Sequence, residues 1–148
     1  MTLDIVDNSL QTGGRTLQEA DDVIAAGHPP IAEGVVLVDF DGTIAPFGFL
    51  FDYPKPLPGV VDFMQKLAKA DYRAVIFTSR LSTKWLKSVG QTKQQHIEYI
   101  TSYCQKYNIP FNAITAEKIP CVAYYDDKAV RVTNNWLNLR HAKYGVNL

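Results

Sequence analysis

The spacing of apolar residues along this chain changes period several times, and each change marks an element. Thr16-Leu17-Gln18-Glu19 has the spacing of a helix-capping box, and Leu17, Ala20 and Ile24 then fall on one helical face. The pattern predicts a short helix ending near Gly27, broken by His28-Pro29-Pro30. Val35 to Val38 is an unbroken run of β-formers, as a strand covered on both faces requires. Val60, Phe63, Met64 and Leu67 recur at helical spacing. Ala74 to Phe77 reads as a second buried strand and Ser82 to Val89 as a short helix. Ile97, Ile100, Cys104 and Tyr107 form the stripe of a longer helix. Short strands are expected at Asn112–Thr115 and Cys121–Tyr125, and a closing helix over Trp136–Ala142.

Strands alternating with helices predict an α/β fold: a doubly wound, Rossmann-like, mainly parallel sheet flanked by helices. The simplest division of the 148 residues is an N-terminal extension over 1–33, carrying the first helix, and one catalytic domain over 34–148. A hydrophobic fraction of 47% and a charged fraction of 20% suit a soluble globular protein. Lys+Arg and Asp+Glu both count 15, so the total charge offers no basic field for gripping nucleic acid. Cys104 and Cys121 lie in no Cys/His cluster, which argues against zinc and for buried free thiols in a reducing compartment. No apolar run approaches the ~18 residues of a membrane span. Met1 to Thr16 lacks the pattern of a secretory leader. The expectation is a cytoplasmic protein with no membrane partner.

The chemistry changes this picture most. In doubly wound sheets, ligands bind beyond the C-terminal ends of the strands. The first strand ends in Asp39-Phe40-Asp41-Gly42-Thr43, the second in Thr78-Ser79-Arg80, and the last in Asp126-Asp127; Lys118 follows the weak strand near Ile114. Four carboxylates at one sheet edge repel one another and raise each other's pKa. A divalent cation relieves this, and hard oxygen ligands suit Mg2+. The ammonium of Lys118 and the hydroxyl of Thr78 suit an anion, and the set describes a phosphoryl-transfer site. Asp39 and Asp41, two residues apart, project to one side of an extended segment. One such carboxylate can act as nucleophile and form an acyl phosphate. The other can pass a proton to the leaving oxygen and take one from water. Gly42 lets the backbone turn tightly, and Thr43 is placed to fix that turn. Each residue also has a plainer reading. Asp41-Gly42 is a common turn pair, Thr78 is suited to cap a helix, and Arg80 serves equally as a substrate contact or an ion-pair partner.

From Val35 to about Val132 the sequence resembles the haloacid dehalogenase-like phosphohydrolase superfamily. Four motifs stand in that family's order: Asp39-Phe40-Asp41-Gly42-Thr43, then Val75-Ile76-Phe77-Thr78, then Lys118, then Tyr124-Tyr125-Asp126-Asp127. The resemblance implies a hydrolase of phosphoric monoesters, with Asp39 as nucleophile and magnesium ligand. It implies Asp41 as general acid/base, with its backbone carbonyl on the metal. Thr78 and Lys118 would hold the phosphoryl oxygens, with Lys128 the rival lysine. Asp126 would complete the metal site, with Asp127 helping directly or through water. Gly42, Thr43, Ser79 and Arg80 are the expected substrate contacts. The intervals Ile44–Arg73 and Arg80–Glu117 are too short for a separate cap domain, so the resemblance is to a capless type. In that family an open site goes with large substrates or with cover from a partner subunit. The partner expected is therefore a phosphorylated small molecule or the phosphate end of a macromolecule, and a homo-oligomer would cover the site. The aromatic loop from Phe47 to Tyr53 would otherwise act as a small flap, as packing, or as an interface. The alternative is a non-enzymatic, receiver-like or regulatory phosphate-binding module. Receivers place their acidic pair on the first strand and the acceptor aspartate later, the reverse of the order here.

Overall fold

The β-branched runs read from the sequence form the first strands of a parallel sheet. The computed structural model describes residues 34–148, so the helix expected over 16–27 lies outside the described residues. Its elements are β1 (Val35–Asp39), α1 (Val60–Lys69), β2 (Arg73–Phe77), α2 (Thr83–Val89), α3 (Lys93–Lys106), β3 (Ala113–Thr115) and β4 (Ala123–Tyr125). The strands lie in the order β3-β2-β1-β4 and all pairings are parallel. The register of the central pair runs from Val35 opposite Arg73 to Asp39 opposite Phe77. The chain first winds outward from β1 through β2 to β3, then returns to the other side of β1 as β4. Strand order therefore reverses between β1 and β4, the switch point where such sheets leave a crevice.

Successive strand residues point to opposite faces. Val36, Val38, Ala74, Ile76 and Ile114 enter the larger core with Phe40, Met64 and Ile100. Val35, Leu37, Val75 and Ala113 form a second cluster with Phe77 and Ile119. Burial of both faces explains why β1 and β2 are continuously apolar rather than alternating. β4 differs: Tyr124 and Tyr125 are exposed, as is Val122 just before it, as befits an edge strand. Cys104 is fully buried, as expected, whereas Cys121 at the start of this edge is only half-buried.

Helix caps follow the sequence closely. Ser82 accepts from the Trp85 N–H at the start of α2, and Thr92 with Gln95 forms a capping box on α3. The buried stripe of α3, however, is His96, Tyr99, Ile100, Tyr103 and Cys104, one turn-face away from the expected Ile97 and Tyr107. The tyrosines win this face because their rings bury while their hydroxyls find partners. The expected helix over 136–142 is instead two 3-10 turns, Trp136–Asn138 and His141–Tyr144. Leu137 is wholly exposed and Trp136 largely so. A segment this short, with no apolar face to bury, does not hold an α-helix. Among the described residues, no helix is long and apolar enough to cross a membrane.

Candidate active site at the switch point

Asp39 is the last residue of β1, and the chain leaves the strand through a tight turn. The Phe40 carbonyl accepts from the N–H groups of Thr43, Ile44 and Ala45, and Gly42 N–H donates to the Ala45 carbonyl at 2.8 Å. Phe40 is wholly buried, edge-on to Tyr99 and Tyr103. Anchoring Phe40 inward directs its two neighbours, Asp39 and Asp41, to the opposite side. Both carboxylates line a cavity of about 290 Å³, together with Ser79, Asp126, Asp127 and Lys128.

Three of these carboxylates form a cluster. Asp39, Asp126 and Asp127 each offer an oxygen, and the three oxygens lie within 4.8 Å of one another. The Thr43 hydroxyl donates to Asp39 Oδ2 at 3.2 Å. Asp126 Oδ1 accepts from the Lys128 N–H at 2.7 Å, which folds the acidic pair and the lysine into one local turn. Burial pushes the Asp39 carboxyl up to about 7, helped by a hydrogen bond shared with Asp127 and by the charges of Asp126 and Asp127. The Phe40 backbone pulls weakly the other way. Three hard oxygen donors brought this close together fit a small divalent cation. Imidazole or thiolate donors, which would favour zinc or copper, take no part in the cluster.

Gly42 makes this cluster possible. Its φ is +82°, and a Cβ built on it would stand 2.5 Å from Asp127 Oδ2. Only glycine allows the turn after β1 to pass that close to the loop after β4.

Asp41 is held differently. Arg80 Nε donates to its Oδ2 at 2.8 Å and Nη2 to its Oδ1 at 2.7 Å, a bidentate pair. Arg80 is almost fully buried. Two further donors go to the carbonyls of Leu50 and Phe49, and its guanidinium lies 4.9 Å from the Tyr99 ring centre and 5.4 Å from that of Phe40. Arg80 is therefore committed to the protein's own groups and is not a free substrate contact.

Two expected phosphate ligands also stand elsewhere. Thr78 is buried, and its hydroxyl accepts from the Arg80 N–H, capping the 3-10 turn Ser79–Leu81. It is the neighbouring Ser79 that lines the cavity. Lys118 is exposed, with Nζ 5.4 Å from the Tyr124 ring centre, and it does not line the cavity. Lys128 does, with Nζ 5.0 Å from the ring centre of Phe47. The aromatic Phe47 and the hydroxyl-bearing Ser82 also border this space. Neither falls in a short motif, and only the folded loop and turn bring them in. No known protein family, curated protein or solved structure matches the chain.

Proposed function

We propose that the protein is a magnesium-dependent phosphohydrolase with a haloacid dehalogenase-like, capless architecture, working through an aspartyl-phosphate on Asp39. One observation carries this reading: Asp39, Asp126 and Asp127 converge within 4.8 Å where the strand order of a parallel sheet reverses.

In this reading a carboxylate oxygen of Asp39 attacks phosphorus, a P–O bond forms, and the bond to the leaving oxygen breaks. Asp41 gives its proton to that leaving oxygen. Water then attacks the aspartyl-phosphate, losing its proton to Asp41. The bond between phosphorus and Asp39 breaks and inorganic phosphate departs. Thr43 keeps the Asp39 carboxylate aimed. Arg80 keeps Asp41 aimed, and a proton on Asp41 requires one of the two guanidinium hydrogen bonds to open. Lys128 and Ser79 hold the phosphoryl oxygens, so Lys128 takes the part the resemblance gives Lys118. Asp39, Asp126 and Asp127 hold the magnesium ion, which supplies positive charge against the phosphoryl oxygens.

The test is Mg2+-dependent hydrolysis of p-nitrophenyl phosphate by the purified chain. The expected result is turnover that EDTA abolishes, with Asp39→Asn losing roughly three orders of magnitude or more in kcat, the scale seen when a covalent nucleophile is removed. Undiminished turnover in Asp39→Asn would remove Asp39 as the nucleophile. Lys128→Ala should raise KM more than Lys118→Ala does, and the reverse order would return the phosphate site to Lys118.

A further inference from the structure

Beside the carboxylate cavity lies a second one, of about 310 Å³. Asp41, Phe47, Ser79 and Lys128 border both, so the two adjoin across a shared wall. The carboxylate side carries the reacting groups. The far side is lined by Phe49, Leu50 and Trp85, with Gly48 between Phe47 and Phe49, and by Arg80. We propose that this second cavity is the leaving-group subsite and that it receives the base of a nucleoside monophosphate. The proposal rests on the phosphohydrolase reading and adds the substrate class to it.

The chemistry of the walls selects among leaving groups. A sugar or polyol needs side chains free to pair with its hydroxyls, because a hydroxyl buried without a partner is costly. Here the polar groups of the far side are already engaged. Arg80 spends four of its five N–H groups on Asp41 and on the carbonyls of Phe49 and Leu50, so each of these polar groups already has a partner within the protein. Ser79 and Lys128 remain, and both sit on the boundary where the phosphoryl group would lie. What faces the cavity otherwise is flat aromatic surface. Phe47 is 69% exposed and Phe49 40%, unusual for large apolar side chains beside a polar cavity. Trp85 is fixed edge-on to His96, ring centres 4.8 Å apart. A planar base can stack on such rings without needing many hydrogen bonds.

The backbone that carries Phe49 and Leu50 is held in place, which lowers the ordering that stacking would need. Tyr99, Tyr103 and Tyr107 donate their hydroxyls to the carbonyls of Asp52, Pro54 and Tyr53, and Arg80 holds the two carbonyls before them. Each cavity has about the volume at the lower end of small-molecule sites, ~300 to 1,000 Å³. The pair suits one nucleotide and not a folded macromolecule. Equal numbers of acidic and basic residues likewise provide no track for a nucleic-acid strand.

The experiment compares AMP, β-glycerophosphate and glucose phosphate as substrates of the full chain with Mg2+. AMP should show a kcat/KM at least about 10-fold above both others, the scale of one base–aromatic stack. Phe49→Ala and Trp85→Ala should each cut the preference for AMP over β-glycerophosphate by about 10-fold, and Phe49→Tyr should restore it. Circular dichroism checks that the variants fold, and Phe49, being partly exposed, is the safer of the two. Equal kcat/KM for the three substrates, or an unchanged preference in Phe49→Ala, would overturn the subsite while leaving a phosphohydrolase. Absence of turnover with any phosphomonoester would instead sink the phosphohydrolase reading. Equilibrium binding of AMP then decides the cavity: binding weakened about 10-fold in Phe49→Ala supports it, and no difference overturns it.

Discussion

Asp39 combines a half-buried position with two neighbouring carboxylates, and its elevated pKa follows from both. The consequence for stability has a definite sign. The folded chain without metal binds the Asp39 proton more tightly than the unfolded chain does. Between 3.8 and about 7 the folded state therefore loses stability as pH rises. Asp39→Asn carries no such charge. In EDTA its Tm should exceed that of the native chain by a margin that widens across this window and levels off above it. A margin constant with pH would remove the charge cluster as the cause. Gly42 gives a second residue-scale test. Gly42→Ala forces a left-handed alanine against Asp127 Oδ2, so it should cost roughly 1–3 kcal/mol in urea unfolding and weaken Mg2+ dependence. An unaltered variant would show that the two loops do not approach so closely. At this scale the placing of Asp39 and Asp41 beside one cavity was legible, because both follow one strand within three residues, whereas Gly42 and Thr43, expected as substrate contacts, stand against Asp127 and Asp39 instead. Both Thr78 and Ser79 were expected at the site; only Ser79 lines the cavity, because the chain turns after β2 so that Thr78 is buried as a cap. The choice between Lys118 and Lys128 depends on the Asp126 turn in the same way.

Elements bring in what the motifs lack. α3 carries Tyr99 and Tyr103, with Tyr107 at its C-cap, four residues apart, and each reaches back to the loop between Asp52 and Pro54. The body of the aromatic loop is thereby fastened, and Phe47 with Gly48 forms its exposed tip. A freely swinging flap over the whole of 47–53 does not fit these bonds. Tyr103→Phe keeps the ring and removes one hydroxyl bond, and should cost about 1 kcal/mol. Removing all three hydroxyls together should speed amide hydrogen exchange within 49–54 more than in β1. Uniform exchange across both would mean that the tyrosines do not fasten the loop. The stripe predicted for this helix held at Ile100 and Cys104 but missed Tyr99 and Tyr103. A buried Tyr needs a hydroxyl acceptor, and the acceptors lie nearly fifty residues away in the chain. The closing helix failed for the opposite reason: its apolar residues, Trp136 and Leu137, stay largely exposed and join neither core cluster among the described residues.

For the molecule as a whole, the sheet order β3-β2-β1-β4 places the ends of β1 and β4 side by side. A cation bound there joins the first strand to the last and should stabilise the fold by mass action. Mg2+ at about 100 times its Kd should add ~2.7 kcal/mol, read as a rise in Tm. Asp126→Asn should abolish most of that rise, and a full rise in the variant would place the ion elsewhere. The sequence by itself determined the α/β class, the parallel strands β1 and β2, and the acidic ends of β1 and β4. Those features rest on local hydrophobic period and on residues adjacent in the chain. Tertiary structure decided the rest: which hydroxyl and which lysine border the carboxylate cavity, that Arg80 pairs with Asp41, and that a second cavity with aromatic walls adjoins the first. These depend on strand order and on contacts between residues some 30 to 50 positions apart, for which no local period leaves a trace.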